Sequence, residues 1–179
     1  MKEELAEKFK IIEAVLFDVD GVMTDGKIYC SENGEALKVF DAADGLGIKL
    51  LRDFNIITGV ISGRDSKALR FRLRELNIQH LYLGAADKLL FFNQFLDQVK
   101  LAPEQVAFIG DDLPDLPILS RCGLAVSPSN GCNEVRSMAD YVTQRQGGEG
   151  SIREVVELIL KSKGLWEDCI EVLASAKTV

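Results

Sequence analysis

The chain is poor in the residues behind several common chemistries. It has one histidine, His80, and one tryptophan, Trp166. Its four cysteines, Cys30, Cys122, Cys132 and Cys169, are far apart and form no C-x-x-C pair. That spacing supports neither a zinc finger nor a disulfide framework and fits a reducing compartment. No stretch approaches the ~20 apolar residues of a membrane-spanning helix. The opening MKEELAEKFKII is charged where a secretory signal would be apolar, so a cytoplasmic location is expected. Basic residues are dispersed rather than clustered, and the formal net charge of −7 repels nucleic acid and anionic membranes. It repels phosphorylated substrates too, so any phosphate site needs local cations or a metal. At 179 residues the chain suits one domain, 1–179, with a real core.

What is present gathers around Ala14–Gly26, AVLFDVDGVMTDG. An apolar run ends abruptly in Asp18 and Asp20, with Gly21 behind them. Such a run reads as a strand buried on both faces, and carboxylates at its end lie where open α/β sheets bind ligands. Two residues apart on a continuing strand, the two acids point the same way and repel unless a cation or shared proton intervenes. Leu5, Phe9 and Ile12 ahead of them predict a short amphipathic helix. After them, β-suited runs flank Asn33-Gly34 and predict a hairpin over about 26–40, placed as a lid or an oligomer contact.

From Asp44 strands and helices alternate. Helices are predicted at Leu46–Phe54, Asp65–Leu76, Asp87–Val99, Leu116–Arg121, Asn133–Met138 and Ile152–Lys161, with a last one from Leu165. Strands are predicted at Ile56–Ile61, His80–Leu83, Val106–Ile109, Leu124–Val126 and Tyr141–Val142. This alternation implies βαβ units, hence an α/β fold with a mainly parallel sheet and helices on both faces. In such a sheet the strand ends share one edge. The first gives Asp18 and Asp20, the second Ser62 and Gly63, and a later one Asp111 and Asp112, with Lys88 opening a helix. An oxygen-only carboxylate set suits Mg²⁺. A hydroxyl, backbone N–H groups and a lysine around it suit phosphoryl oxygens.

DVDGVMT, ISGR, Lys88 and GDDLPD together resemble the four signature motifs of the haloacid dehalogenase (HAD) superfamily of phosphotransferases. The resemblance implies a Rossmann-like HAD fold, with Asp18 as nucleophile and Asp20 as general acid and base. It further implies phosphate binding by Ser62, Gly63 and Lys88, and Mg²⁺ binding by Asp18, the backbone carbonyl of Asp20, and Asp111. Asp112 and Asp115 would support the ligand shell or Lys88. DGVMTDG, LKVF with DGLGIKLL, SGRDS, VAFIGDDLPDLPIL, ADYVT and GGEGSIREVVELIL are similar to the 3-deoxy-D-manno-octulosonate 8-phosphate (KDO 8-phosphate) phosphatases. That family implies a flap hairpin in place of a large cap domain, a homotetramer joined through flaps, and a role in lipopolysaccharide precursor synthesis. By the same resemblance Thr24, Arg64 and Ser66 would contact the substrate, although Ser66 could equally cap a helix. Ala43 and Leu83 depart from residues common in the family. A phosphatase of 2-keto-3-deoxynonulosonate 9-phosphate, and a non-enzymatic phosphoacceptor or regulatory module, stand as alternatives.

Overall fold

A computed structural model describes residues 3–32 and 34–175. Its elements run in order α1 (Glu3–Ile11), β1 (Ala14–Phe17), β2 (Tyr29–Ser31), β3 (Gly34–Leu37), α2 (Ala42–Asp53), β4 (Ile57–Ser62), α3 (Lys67–Glu75), β5 (His80–Leu83) and α4 (Lys88–Val99). They continue through β6 (Val106–Ile109), α5 (Leu116–Leu119), β7 (Leu124–Ser127), α6 (Asn133–Met138), β8 (Tyr141–Val142), α7 (Ser151–Ser162) and α8 (Trp166–Ser175), with short 3₁₀ turns at Pro103–Gln105 and Leu113–Asp115. Six strands form one sheet in the order β5-β4-β1-β6-β7-β8, and each neighbouring pair is parallel. β2 and β3 form a separate antiparallel hairpin.

The four residues of β1 are fully buried because helices cover both faces of the sheet. Val15 and Phe17 face one core layer with Phe9 of α1, Ile48 and Leu51 of α2, Leu69 of α3 and Ile159 of α7. Ala14 and Leu16 face the other, with Phe92 and Phe95 of α4 and Ile118 of α5. The period of two along a strand thus splits one tetrapeptide between two cores. The stripe Ile152, Val155, Val156, Ile159 and Leu160 buries one side of α7, as its i, i+3, i+4, i+7 spacing predicts.

The chain runs from β1 out to β4 and β5, then returns to β6 on the other side of β1. The strand order therefore reverses at β1, where open parallel sheets form their binding crevice. Phe17 sits opposite both Val60 and Ile109, so Asp18 just after β1, Ser62 at the end of β4 and Asp111 after β6 come out near one level at the same edge.

Several boundaries differ from the sequence expectation, each for a local reason. α2 starts four residues early because Asp41 accepts a hydrogen bond from the Asp44 N–H and caps it. α3 starts two residues late, at Lys67, because Ser66 is its cap. β4 runs one residue past Ile61 and takes in Ser62. Asn33 of the predicted turn and residues 176–179 of the tail lie outside the described residues.

Candidate active site

The end of β1 delivers Asp18 into the crevice, where it is 8% exposed. Its backbone N–H donates to the Ile109 carbonyl at 2.9 Å, extending the β1–β6 ladder to the acid itself. Lys88, first residue of α4, places its Nζ 3.0 Å from Asp18 Oδ1 and 2.7 Å from Asp115 Oδ1. The cap of α4 at Asp87, whose carboxylate accepts from the Leu90 N–H, fixes where that lysine begins. Burial alone would lower the Lys88 pKa, but Asp18 and Asp115 outweigh it and hold the ammonium above its usual value.

Asp115 is fully buried and committed on both sides. Its Oδ2 accepts from the N–H groups of Asp111 (3.0 Å) and Asp112 (3.3 Å), while Oδ1 takes Lys88. It thus clamps the Gly110-Asp111-Asp112 turn and aims the lysine. Asp112 caps the following 3₁₀ turn, accepting from the Leu113 N–H at 2.9 Å.

Asp111 is the uncommitted acid. Its Oδ1 is buried without a hydrogen-bond partner among the described residues. Carboxylate oxygens of Asp18, Asp111 and Asp115 lie within 4.8 Å of one another. Burial, then repulsion from Asp115, raises the Asp18 pKa to about 7 despite Lys88. Burial, then repulsion from Asp18 and Asp115, raises that of Asp111 to about 8. A divalent cation fits here on two counts. It would satisfy the orphaned Asp111 oxygen, and it would reverse the repulsion that three carboxylates sharing one ammonium create. The all-oxygen donor set suits Mg²⁺. With Asp115 spent on Lys88 and two N–H groups, the available side-chain donors are Asp18 and Asp111.

Gly21 has φ +91°, and a Cβ there would lie 2.0 Å from an Asp111 oxygen, so only glycine lets the β1 loop approach that acid. Ser62 is 1% exposed, and its hydroxyl oxygen accepts from the Arg64 N–H at 3.3 Å, which leaves its own proton to donate. Asp18, Asp20, Ser62, Gly63, Arg64, Lys88, Asp111, Asp112 and Asp115 all line one cavity of about 400 Å³, with Gly26 and Ile28 from the hairpin side.

Two of the expected substrate contacts sit elsewhere. Thr24 is 2% exposed and spends its hydroxyl inside the β1 loop, accepting from Gly26 N–H at 3.2 Å, so it staples that loop and does not line the cavity. The Ser66 hydroxyl accepts from the Leu69 N–H at 3.3 Å as the cap of α3, and Ser66 does not line the cavity either. Arg64 does reach it, with Nε 3.5 Å from Asp20 Oδ2. Sequence reasoning missed Lys38, whose ammonium pairs with Asp20 from the hairpin. Nothing in the local pattern marks a lysine that reaches the site only through the fold. The glycine loop at 147–148 does not line the cavity but packs on the β1 loop, since a Cβ on Gly147 would fall 1.8 Å from the Gly21 carbonyl oxygen.

Residues 76–153 match the family model of haloacid dehalogenase-like hydrolases. The chain is 42% identical over 157 residues to the 3-deoxy-D-manno-octulosonate 8-phosphate phosphatase KdsC of Salmonella typhi, covering 88% of this chain and 84% of that one. Among solved structures, the 3-deoxy-D-manno-octulosonate 8-phosphate phosphatase of Moraxella catarrhalis, in complex with a magnesium ion, a phosphate ion and KDO, superposes with a TM-score of 0.93 at 37% identity, covering 97% of this chain and 99% of that one. The Yersinia pestis phosphatase of the same name gives a TM-score of 0.91 at 40% identity over 93% of this chain and 90% of its own.

Proposed function

This chain belongs to the 3-deoxy-D-manno-octulosonate 8-phosphate phosphatases, a family of haloacid dehalogenase-like hydrolases, and from that premise we propose that it hydrolyses the phosphomonoester of KDO 8-phosphate with Mg²⁺ as cofactor. The single observation that carries the chemistry is the Asp18–Lys88–Asp115 chain at the bottom of the cavity, beside the unpaired oxygen of Asp111. It sets a nucleophile, a fixed cation and a vacant anionic donor in one place.

In this reading an Asp18 carboxylate oxygen attacks phosphorus. The P–O bond to the sugar breaks as an aspartyl phosphate forms, and Asp20 gives its proton to the departing alkoxide. Asp20 then takes a proton from water, whose oxygen attacks phosphorus and displaces the Asp18 carboxylate. The Ser62 hydroxyl, the Gly63 N–H and the Lys88 ammonium hold the phosphoryl oxygens through both steps. Asp115 keeps Lys88 aimed, and Asp112 shapes the turn that presents Asp111. The side chains of Asp18 and Asp111 and the carbonyl of Asp20 would hold Mg²⁺, which when bound offsets the charge that keeps two anions apart. Arg64, half exposed at the rim, offers a planar pair of donors for a sugar-acid carboxylate.

The exposed apolar side chains Ile28, Tyr29, Leu37 and Val39 on and beside the hairpin support a homotetramer assembled through flaps. No helix among the described residues is long and apolar enough to cross a membrane, which accords with a cytoplasmic enzyme of lipopolysaccharide precursor synthesis. The test is phosphate release from KDO 8-phosphate, 2-keto-3-deoxynonulosonate 9-phosphate and p-nitrophenyl phosphate with Mg²⁺. A kcat/KM for KDO 8-phosphate near or above ~10⁴ M⁻¹s⁻¹, far above the other two and lost in Asp18→Asn, supports the assignment. Weak, uniform turnover overturns the substrate, and none on any substrate overturns the reaction.

A further inference from the structure

Lys38 follows β3 and leaves the hairpin pointing inward. Its side chain is 2% exposed, and its ammonium pairs with Asp20 Oδ1 and lies 3.3 Å from Glu35 Oε2. Lysine is almost never buried this far unless paired. Besides Lys38, the hairpin is tied to the body through Glu35 of β3, which is hydrogen-bonded by Ser66 and lies near Arg64. The hairpin strands do not join the central sheet, and every residue of β2 is exposed. Arg64 meets the other oxygen of Asp20 at 3.5 Å. The Asp20 carboxylate is thus held from two directions, by a cation of the flap and a cation of the loop after β4.

We infer that Lys38 is a positioning residue that ties the seating of the flap to the aim of Asp20. The inference rests on the proposed role of Asp20 as acid and base. With the flap down, Lys38 fixes the side-chain torsions of Asp20, so that its carboxylate meets the departing oxygen and then the attacking water. With the flap up, Asp20 loses one of its two holders, and the nucleophile Asp18 is untouched. The flap therefore governs proton transfer rather than phosphorus attack, and a substrate that does not seat the flap is turned over slowly.

Leaving groups of different quality separate these steps. A sugar alkoxide needs a proton to depart, whereas p-nitrophenolate does not. In Lys38→Met, kcat on KDO 8-phosphate should fall about 100-fold, the cost of a misplaced catalytic group, with KM little changed. With p-nitrophenyl phosphate the same variant should keep a rapid burst of nitrophenolate as Asp18 is phosphorylated, then turn over slowly because water activation still needs Asp20. Lys38→Arg should restore most of kcat. A burst that disappears in parallel with kcat, or a Lys38→Met enzyme as active as the wild type, overturns the inference.

A second readout needs no turnover. Amide hydrogen exchange across Tyr29–Leu37 should speed up in both Lys38→Met and Asp20→Asn, but not in Asp18→Asn. Unchanged exchange in the first two shows that the pair does not seat the flap. Absence of Asp18-dependent turnover in the wild type would instead sink the phosphatase reading, and the exchange comparison still decides the tie.

Discussion

Two buried carboxylates, Asp18 and Asp115, and the half-buried Asp111 around one ammonium set the behaviour of single residues in the site. Asp18 and Asp111 have pKa values raised to about 7 and about 8, first by burial and then by carboxylate repulsion. Without metal they hold protons that the unfolded chain would release, so their contribution to stability is fullest at low pH and is lost as pH rises through 7 to 8. Mg²⁺ must displace those protons. Its apparent affinity should therefore climb between pH 6 and 8, and calorimetry in buffers of different ionisation enthalpy should show proton release on binding. Affinity independent of pH, with no release, would contradict the site as described. Asp111→Asn should abolish most of that release, because it removes the acid whose oxygen has no other partner. Gly21→Ala is the complementary test. A side chain at φ +91° would strain the loop by about 1–2 kcal/mol, and its Cβ would overlap the Asp111 carboxylate. Mg²⁺ affinity should fall with only a modest loss in melting temperature, as measured by metal titration and thermal unfolding of the same sample.

At the scale of elements, the site hangs on how helices begin. Asp44 lies inside α2, is 3% exposed, and accepts from the N–H groups of Arg153 (2.8 Å) and Gly150 (3.3 Å), so one helix caps the start of α7. The glycine loop before α7 rests on the β1 loop, with the Gly148 N–H donating to the Val22 carbonyl at 3.0 Å. Burial raises the Asp44 pKa to about 6. A raised carboxyl pKa means that its share of stability is present at low pH and lost as pH rises through about 6. Between pH 5 and pH 7.5 the wild type should lose about 1.4 kcal/mol relative to Asp44→Asn, one pKa unit's worth. Denaturant midpoints of the pair at the two pH values check this, and a gap that does not move with pH refutes it. None of this was legible beforehand. Asp44 read only as the point from which strands and helices alternate and as part of the stretch DGLGIKLL, because the N–H groups that its carboxylate caps lie more than a hundred residues away. The helix starts misplaced at α2 and α3 have the same origin. Asp41 and Ser66 take up capping N–H groups that periodicity alone does not assign.

Over the whole molecule, the parallel sheet was the most legible feature, because the alternation of apolar runs and amphipathic segments fixes both the layers and the shared edge where the strands end. Asp18, Ser62, Lys88 and Asp111 could be placed together from that edge alone. The flap's relation to the site could not, because Lys38 reaches Asp20 across a hairpin that the central sheet does not specify. The same geometry predicts that metal binding stabilises the whole fold. The loops after β1 and β6 carry Asp18 and Asp111, and their repulsion works against closing the central pair of strands at that end. A cation held between them reverses the effect. At a Mg²⁺ concentration 100 times its dissociation constant, linkage should add about 2.7 kcal/mol to unfolding. That is a rise in Tm of several degrees for a chain of this size, about 2–4 °C per kcal/mol. Asp115→Asn should reduce the gain, because freeing Lys88 and the Asp111 turn loosens the donor without removing it. Asp111→Asn should nearly eliminate it. Thermal unfolding of the wild type and both variants, with Mg²⁺ and with a chelator, makes the comparison. An equal rise in all three would place the stabilising metal outside this crevice.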